Sequence, residues 1–306
     1  MKIGVISDIH SNVIAFRACM DRLENERCDE YLFLGDYISD TPYVRETMDL
    51  LYDFISSHKC CLLRGNREEY MIAQHRSIEY GEADKIWLDN SASGNLLFTY
   101  NRLIKKDLAF FEGLPVSFRY EAEGLPAVMC SHGSPDNTRE LLELDDDITK
   151  RWLERIDTDY LICAHTHFPG EVSYKDKHYY NSGCVGISIG DAGYAQCMII
   201  ESGISGGRPV WRPKFLRIPY DNKRVVDDIF SSGLADMGRW FVNADIQTLL
   251  TGIDNAAPLV ALASKLQRQN GDDREWPHIE ERYFEAAAMQ LGIPDYRKVW
   301  ASQKKI

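Results

Sequence analysis

Five short apolar runs in this chain each lead into a residue that can bind a metal ion. Residues 3–7 precede Asp8 and His10, 31–34 precede Gly35-Asp36, 60–63 precede Gly65-Asn66, 127–130 precede His132, and 160–163 precede His165 and His167. Runs of this length and composition read as buried strands, so the seven nitrogen- and oxygen-bearing side chains fall where strands leave a sheet. Carboxylate and imidazole together suit Mn, Fe or Zn better than Ca or Mg. Asp36 has two oxygens, enough to bridge two cations held about 3.5–4 Å apart. A dinuclear metal site is the leading expectation.

Each piece alone is weak, since D-x-H or G-D can be an ordinary turn. His165-Thr166-His167 tells more, because it sets two imidazoles one residue apart ahead of Pro169-Gly170. Four of the chain's eight histidines lie at strand exits, which packing alone does not explain. His58, His75, His178 and His278 lie elsewhere and receive no role.

The elements that must position these residues follow from periodicity. Strand, helix, strand, helix, strand over residues 2–63, with helices at 12–25 and 43–57, predicts right-handed crossovers and a largely parallel sheet. Residues 68–112 break the rhythm as a helical insertion ending at Gly113-Leu114-Pro115, a candidate lid placed directly after a strand-end ligand. Residues 116–120 and 127–130 read as a hairpin, and a helix is expected at 146–156. Strands at 160–163, 171–174, 178–181, 194–200 and 210–218 suggest a second, more antiparallel sheet packed on the first. From Tyr220 the pattern is helical, with Pro277 opening the clearest helix and Gly292 stopping it. Trp240, Trp276 and Trp300 read as packing residues.

Composition sets the limits. At 306 residues, 44% hydrophobic and 27% charged, the chain has material for a large core and reads as a soluble globular protein. Its formal net charge of -12 argues against a general nucleic-acid or anionic-membrane surface. No apolar stretch approaches a membrane span of about 20 residues, and residues 1–7 are too short for a signal peptide. The eight cysteines are scattered with no C-x-x-C pair, as expected of reduced thiols. A cytoplasmic location is expected.

The ordered set Asp8/His10, Gly35-Asp36, Gly65-Asn66, His132 and His165/His167 resembles the calcineurin-like metallophosphoesterase superfamily over roughly residues 1–218. Ser131-His132-Gly133-Ser134-Pro135 and Asn181-Ser182-Gly183-Cys184-Val185-Gly186 are similar to its bacterial phosphodiesterase branch. The protein Ser/Thr phosphatase branch fits less well, since residues 35–40 read GDYISD and lack the Asp-Arg-Gly continuation.

The resemblance implies a four-layer αββα sandwich of two mixed sheets flanked by helices, formed by residues 1–219, with a helical extension over 220–306 packed on it. Asp8, His10, Asp36 and His167 would hold one divalent metal, and Asp36, Asn66, His132 and His165 a second. Mn is the first expectation, with Fe, Zn, Co or Ni able to replace it. A bridging hydroxide would attack phosphorus in a phosphodiester or nucleotide-type phosphoanhydride, with Asp36, Asn66, Arg67 and His132 forming the catalytic set. A small phosphorylated or nucleotide substrate, no membrane partner and a homo-oligomer through the helical tail complete the expectation. The alternatives are a protein phosphatase and a non-catalytic, metal-braced scaffold.

One departure stands out. Where the family pattern has Gly-Asn-His followed by an acidic residue, this chain has Arg67 followed by Glu68. Arg cannot donate a proton near neutrality but can clamp a phosphate, so Arg67 is expected to bind substrate and to favour low-pKa leaving groups. The plainer reading is an exposed Arg67 paired with Glu68 or Glu69.

Overall fold

The computed structural model describes residues 1–303. β1 (Lys2–Ile6), α1 (Val13–Asn25), β2 (Glu30–Phe33), α2 (Val44–Ser57) and β3 (Cys60–Leu62) form the expected alternation, and the three strands pair in parallel. The 68–112 insertion lies within α3 (Asn66–Tyr80), a short 3-10 turn, α4 (Gly94–Tyr100) and α5 (Lys105–Gly113). Then come β4 (Ser117–Tyr120), β5 (Val128–Ser131), α6 (Asp147–Arg155), β6 (Tyr160–Cys163), β7 (Gly170–Tyr174), β8 (Lys177–Asn181), β9 (Tyr194–Ser205) and β10 (Arg208–Pro219).

The strands make two five-stranded mixed sheets, in the orders β10-β9-β1-β2-β3 and β4-β5-β6-β8-β7. This corrects one expectation. The β9–β10 hairpin joins the first sheet, where β9 runs antiparallel to β1, and the second sheet is built on parallel β5-β6 and β6-β8 pairs. Residues 194–200 belong with β1 because their run is apolar on both faces: Met198 and Ile200 face the second sheet while Cys197 and Ile199 face the helices.

Period-two alternation builds the four layers. Ile3, Val5, Leu32 and Leu34 point inward to meet Val128, Cys130, Tyr160 and Ile162 of the opposite sheet. Ile6, Tyr31 and Phe33 point outward onto Phe16, Met20 and Leu23 of α1 and onto Met48, Leu51 and Phe54 of α2. Leu161 and Cys163 point outward from the second sheet onto Trp152 and Leu153 of α6. Each such large side chain fully buried contributes about 1.5–3 kcal/mol, so the sheet faces are pinned and a one-residue slip in any strand would reverse them.

The tail forms α7 (Asn222–Ser231), α8 (Leu234–Thr251), α9 (Ala256–Gln269), α10 (Glu281–Leu291) and α11 (Tyr296–Gln303). α7 and α8 share a core with Phe98 of α4 and with Cys184 and Ile187 after β8. α9 and α10 build their own core around Trp240, Phe284 and Leu259. Pro277 does not open a helix. Residues 275–278 form a turn closed by His278 N–H on the Glu275 carbonyl, and α10 starts at Glu281. Gly292 ends α10 in the left-handed conformation, as its type allows. Among the described residues no helix is long and apolar enough to cross a membrane.

Candidate metal centre

The loops that leave β1, β2, β5 and β6, the start of α3 and the stretch after β8 meet at one edge of the sandwich. Backbone hydrogen bonds zip them together. Asp8 N–H donates to Gly35 O and His10 N–H to Asp36 O, each at 3.1 Å; Gly186 N–H donates to Asp8 O at 2.8 Å and Ala164 N–H to His132 O at 2.9 Å. Asp8, His10, Asp36, His165 and His167 all have positive φ, between 49° and 66°. Non-glycine residues rarely occupy that region, at a cost of roughly 1 kcal/mol or more each. These turns take the chain out of the ladder and aim five side chains at one point.

Two glycines are required there. A Cβ on Gly35, which has φ +86°, would collide with the Gly65 backbone, and one on Gly65 would collide with the Asp36 carboxylate. The second and third strand exits are therefore packed backbone to backbone.

The structure brings all seven expected residues together. His167 Nε2 lies 3.3 Å from Asp8 Oδ1, and His10 Nε2 lies 3.8 Å from Asp8 Oδ1 and 4.0 Å from Asp36 Oδ2. His132 Nε2 is 3.5 Å from Asp36 Oδ2 and 3.0 Å from Asn66 Oδ1. The ligand atoms of Asp8, His10 and Asp36 fall within 4.8 Å of one another, as do those of Asp36, His132 and His165. The two groups share Asp36.

Three imidazoles are oriented from behind. His10 Nδ1 meets Asp40 Oδ2 at 2.8 Å, His132 Nδ1 meets Leu34 O at 2.8 Å and His167 Nδ1 meets Ile187 O at 3.2 Å. Each Nδ1–H is spent on an acceptor, which leaves the Nε2 lone pair facing the centre, as in metal-ligating histidines. Asp8 Oδ1 is buried with no hydrogen-bond partner, and His10 Nε2 faces His167 Nε2 at 3.1 Å. A buried carboxylate oxygen without a donor and two lone pairs turned on each other are what a cation between them would satisfy. The donor set fits two divalent ions.

The same crowding of buried acids and imidazoles shifts their pKa values. Burial raises the Asp8 carboxyl, but His167, His132 and His10 outweigh it and hold it below the usual range. Asp36 is likewise raised by burial and lowered, on balance, by His132 and His10. His132 is opposed by burial yet pushed up to about 9 by Asp36 and Asp8. Burial and the neighbouring His132 push His165 down to about 4.

Four residues around the centre receive no role of their own from the sequence, although Glu68 and Cys184 lie within the motifs that carry the resemblance. Asp40 binds His10, Arg67, Ser39 and Asn95 through its two oxygens; in GDYISD it stood out only for the motif it does not complete. Glu68, fully buried, accepts backbone N–H groups of Gly65, Asp36 and Tyr37, each at 2.8 Å. Cys184 Sγ–H donates to Asp8 O, and burial raises the thiol so that it stays protonated. Asp245, in α8, is 4% exposed, lines the cleft over the centre and leaves Oδ2 without a partner.

Arg67 corrects its own plainer reading. Its side chain is 19% exposed and its Nη2 reaches Asp40 Oδ2 at 2.9 Å, with Nε 3.9 Å from Asp36 Oδ2. It pairs with neither Glu68 nor Glu69; Glu69 bonds Arg64 and Thr138. The cleft in front of these residues encloses about 510 Å³. Tyr70 alone of the 68–112 insertion lines it among the described residues, and the facing wall is Phe241, Asp245, Thr248 and Asp254 from the tail.

The sequence profile of the calcineurin-like phosphoesterases matches residues 1–169, more than half of the chain. The chain belongs to that family. A metallophosphoesterase from Sphaerobacter thermophilus superposes with a TM-score of 0.63 at 20% identity, covering 83% of this chain and all of that one. A hypothetical protein from Pyrococcus horikoshii OT3 gives 0.66 at 18% identity, covering 83% of this chain and 99% of that one. An uncharacterized protein of Methanocaldococcus jannaschii is 25% identical over 256 residues, 76% of this chain and 94% of its own length. The structural coverage exceeds what residues 1–219 can supply, so the shared fold includes part of the helical tail.

Proposed function

We propose that this calcineurin-like phosphoesterase is a two-metal hydrolase of a phosphodiester or nucleotide-type phosphoanhydride. The observation that carries the reading is the pair of donor groups sharing Asp36 at the floor of the tail-walled cleft. Bound divalent ions, Mn first among them, would supply Lewis-acid charge for the phosphoryl oxygens and acidify the attacking water. Overall, a water oxygen joins phosphorus, the ester or anhydride P–O bond breaks with its electron pair on the departing oxygen, and one proton is released.

The chain's own groups set the rest. Arg67, anchored on Asp40, presents a permanently charged guanidinium to the cleft that can hydrogen-bond a phosphoryl oxygen but cannot protonate a leaving group. Departure without an acid at this position favours leaving groups of low pKa. The wall from residues 241–257 narrows the approach and supports a small substrate over a folded protein surface.

A screen of phosphomonoesters, phosphodiesters and nucleotide anhydrides, run on protein loaded in turn with Mn, Fe, Zn, Co and Ni, tests the reading. Turnover of diesters or anhydrides above monoesters is expected. Monoester turnover alone would overturn the substrate class, and no turnover with any metal would return the scaffold reading.

A further inference from the structure

A second chamber opens off the metal cleft. It encloses about 580 Å³ and shares Arg67, Tyr70, Arg139, Phe241 and Ala257 with the first. A substrate whose phosphorus sits at the metal centre can therefore extend into it. Its size lies within the range of small-molecule sites.

Tyr70, Phe241 and Trp276 supply aromatic surface, with the Tyr70 and Trp276 rings 6.1 Å apart and inclined by 35°. Trp276 is 39% exposed although its indole N–H is fixed on Ala92 O at 2.7 Å, so a rigid ring face is offered to a ligand. Among the described residues no Asp or Glu lines the chamber, in a chain of net charge -12, while Arg67, Arg139 and Arg268 do. Arg67 is paired with Asp40. Among the described residues the guanidiniums of Arg139 and Arg268 have no ion-pair partner; Arg139 lies over the Tyr70 ring at 4.7 Å.

We propose that this chamber is the subsite for the organic substituent of the substrate, and that the substituent is a nucleoside bearing a second phosphate. The assignment rests on the two-metal reading for the phosphorus that is hydrolysed. Aromatic walls stack a base by its π-face at about 1–3 kcal/mol per base, whatever its identity. Two guanidiniums without a carboxylate partner among the described residues suit a phosphate that the metal centre does not hold. An uncharged aromatic ester would leave those cations unanswered.

Three esters with one leaving group test it: methyl p-nitrophenyl phosphate, p-nitrophenyl thymidine 5′-phosphate, and the latter with a 3′-phosphate. Release of p-nitrophenolate from the metal-loaded enzyme should show kcat/KM rising about tenfold with the nucleoside and about tenfold again with the 3′-phosphate, each step worth about 1.4 kcal/mol. Arg268→Ala, at an exposed position, should remove the second step. Ala261→Trp, at an exposed position of α9 that lines the chamber, should fill the chamber and remove both. Equal kcat/KM for the three esters, or ratios unmoved by both variants, would overturn the subsite while leaving the two-metal reading in place. If no ester is turned over, that reading fails, and the chamber is judged by calorimetric titration of thymidine 3′,5′-bisphosphate into the metal-free protein. Binding weakened at least tenfold by Ala261→Trp would uphold it, and absence of binding, or binding that the variant leaves intact, would overturn it.

Discussion

Arg67 is held by Asp40: its Nη2 donates to Asp40 Oδ2 across 2.9 Å. The same oxygen receives His10 Nδ1 at 2.8 Å. One buried carboxylate therefore fixes a metal-facing imidazole and the cation beside it. Arg67 is a positioned charge whose partner is already present, more than a free clamp awaiting phosphate.

Asp40→Ala removes both restraints. Loss of a carboxylate behind a metal-binding histidine typically costs tenfold to a hundredfold in affinity or activity. We expect Mn affinity, measured calorimetrically, to fall by about that factor. Unchanged affinity and activity would remove Asp40 from the site.

Arg67 itself is tested by a leaving-group series of aryl methyl phosphates. Without a proton donor, log kcat should fall steeply as leaving-group pKa rises. Arg67→His, which restores the residue type of the family pattern, should flatten the slope. A flat dependence in the unaltered enzyme would contradict the role assigned to Arg67.

Glu68→Ala leaves the backbone N–H groups of Gly65, Asp36 and Tyr37 without their acceptor. Each unsatisfied buried donor costs about 1–3 kcal/mol, so denaturant unfolding should show a loss of about 3 kcal/mol or more. A loss below about 0.5 kcal/mol would show that water or a loop shift replaces the carboxylate.

Asp245 gives a pH signature in metal-free protein. Burial, with Asp40 and Asp254 adding to it and Arg67 and His167 opposing it, holds this carboxyl well above its ordinary value of 3.8. A carboxyl raised on folding binds its proton more tightly in the native chain, so native stability falls as pH rises from the ordinary value toward the raised one. Asp245→Asn removes that loss. Its melting temperature at pH 7 should exceed that of the unaltered protein by roughly 2–4 °C for each ~1 kcal/mol recovered, and the difference should close near pH 4. A lower melting temperature at pH 7 would contradict this.

What the sequence made legible has a common physical basis. Asp8, His10, Asp36, Asn66, His132, His165 and His167 each follow an apolar run, and a buried strand leaves the sheet at a place its own pattern marks. Asp40 and Glu68 act through loop backbone and buried pairs that only the closed structure creates. Asp245 sits in the middle of α8, where one acidic residue looks the same on a solvated face as on a cleft wall. The placement of β9 and β10 is not legible, because the pairing of β9 with β1, which carries β10 with it, joins residues about 195 positions apart, and a strand apolar on both faces does not name its sheet. Pro277 has the right type for a helix start, but the turn at 275–278 and the bond from Glu280 N–H to Gln267 Oε1 at 2.8 Å place it one turn ahead of α10.

The most direct measurement is turnover of bis-p-nitrophenyl phosphate as Mn is added stepwise to metal-free protein, with Asp36→Asn in parallel. The shared carboxylate predicts activity that requires two equivalents of metal per chain and falls at least a hundredfold in Asp36→Asn, in line with 2.7 kcal/mol or more at about 1.36 kcal/mol per tenfold. Activity complete at one equivalent, or an Asp36→Asn variant as active as the unaltered chain, would contradict it.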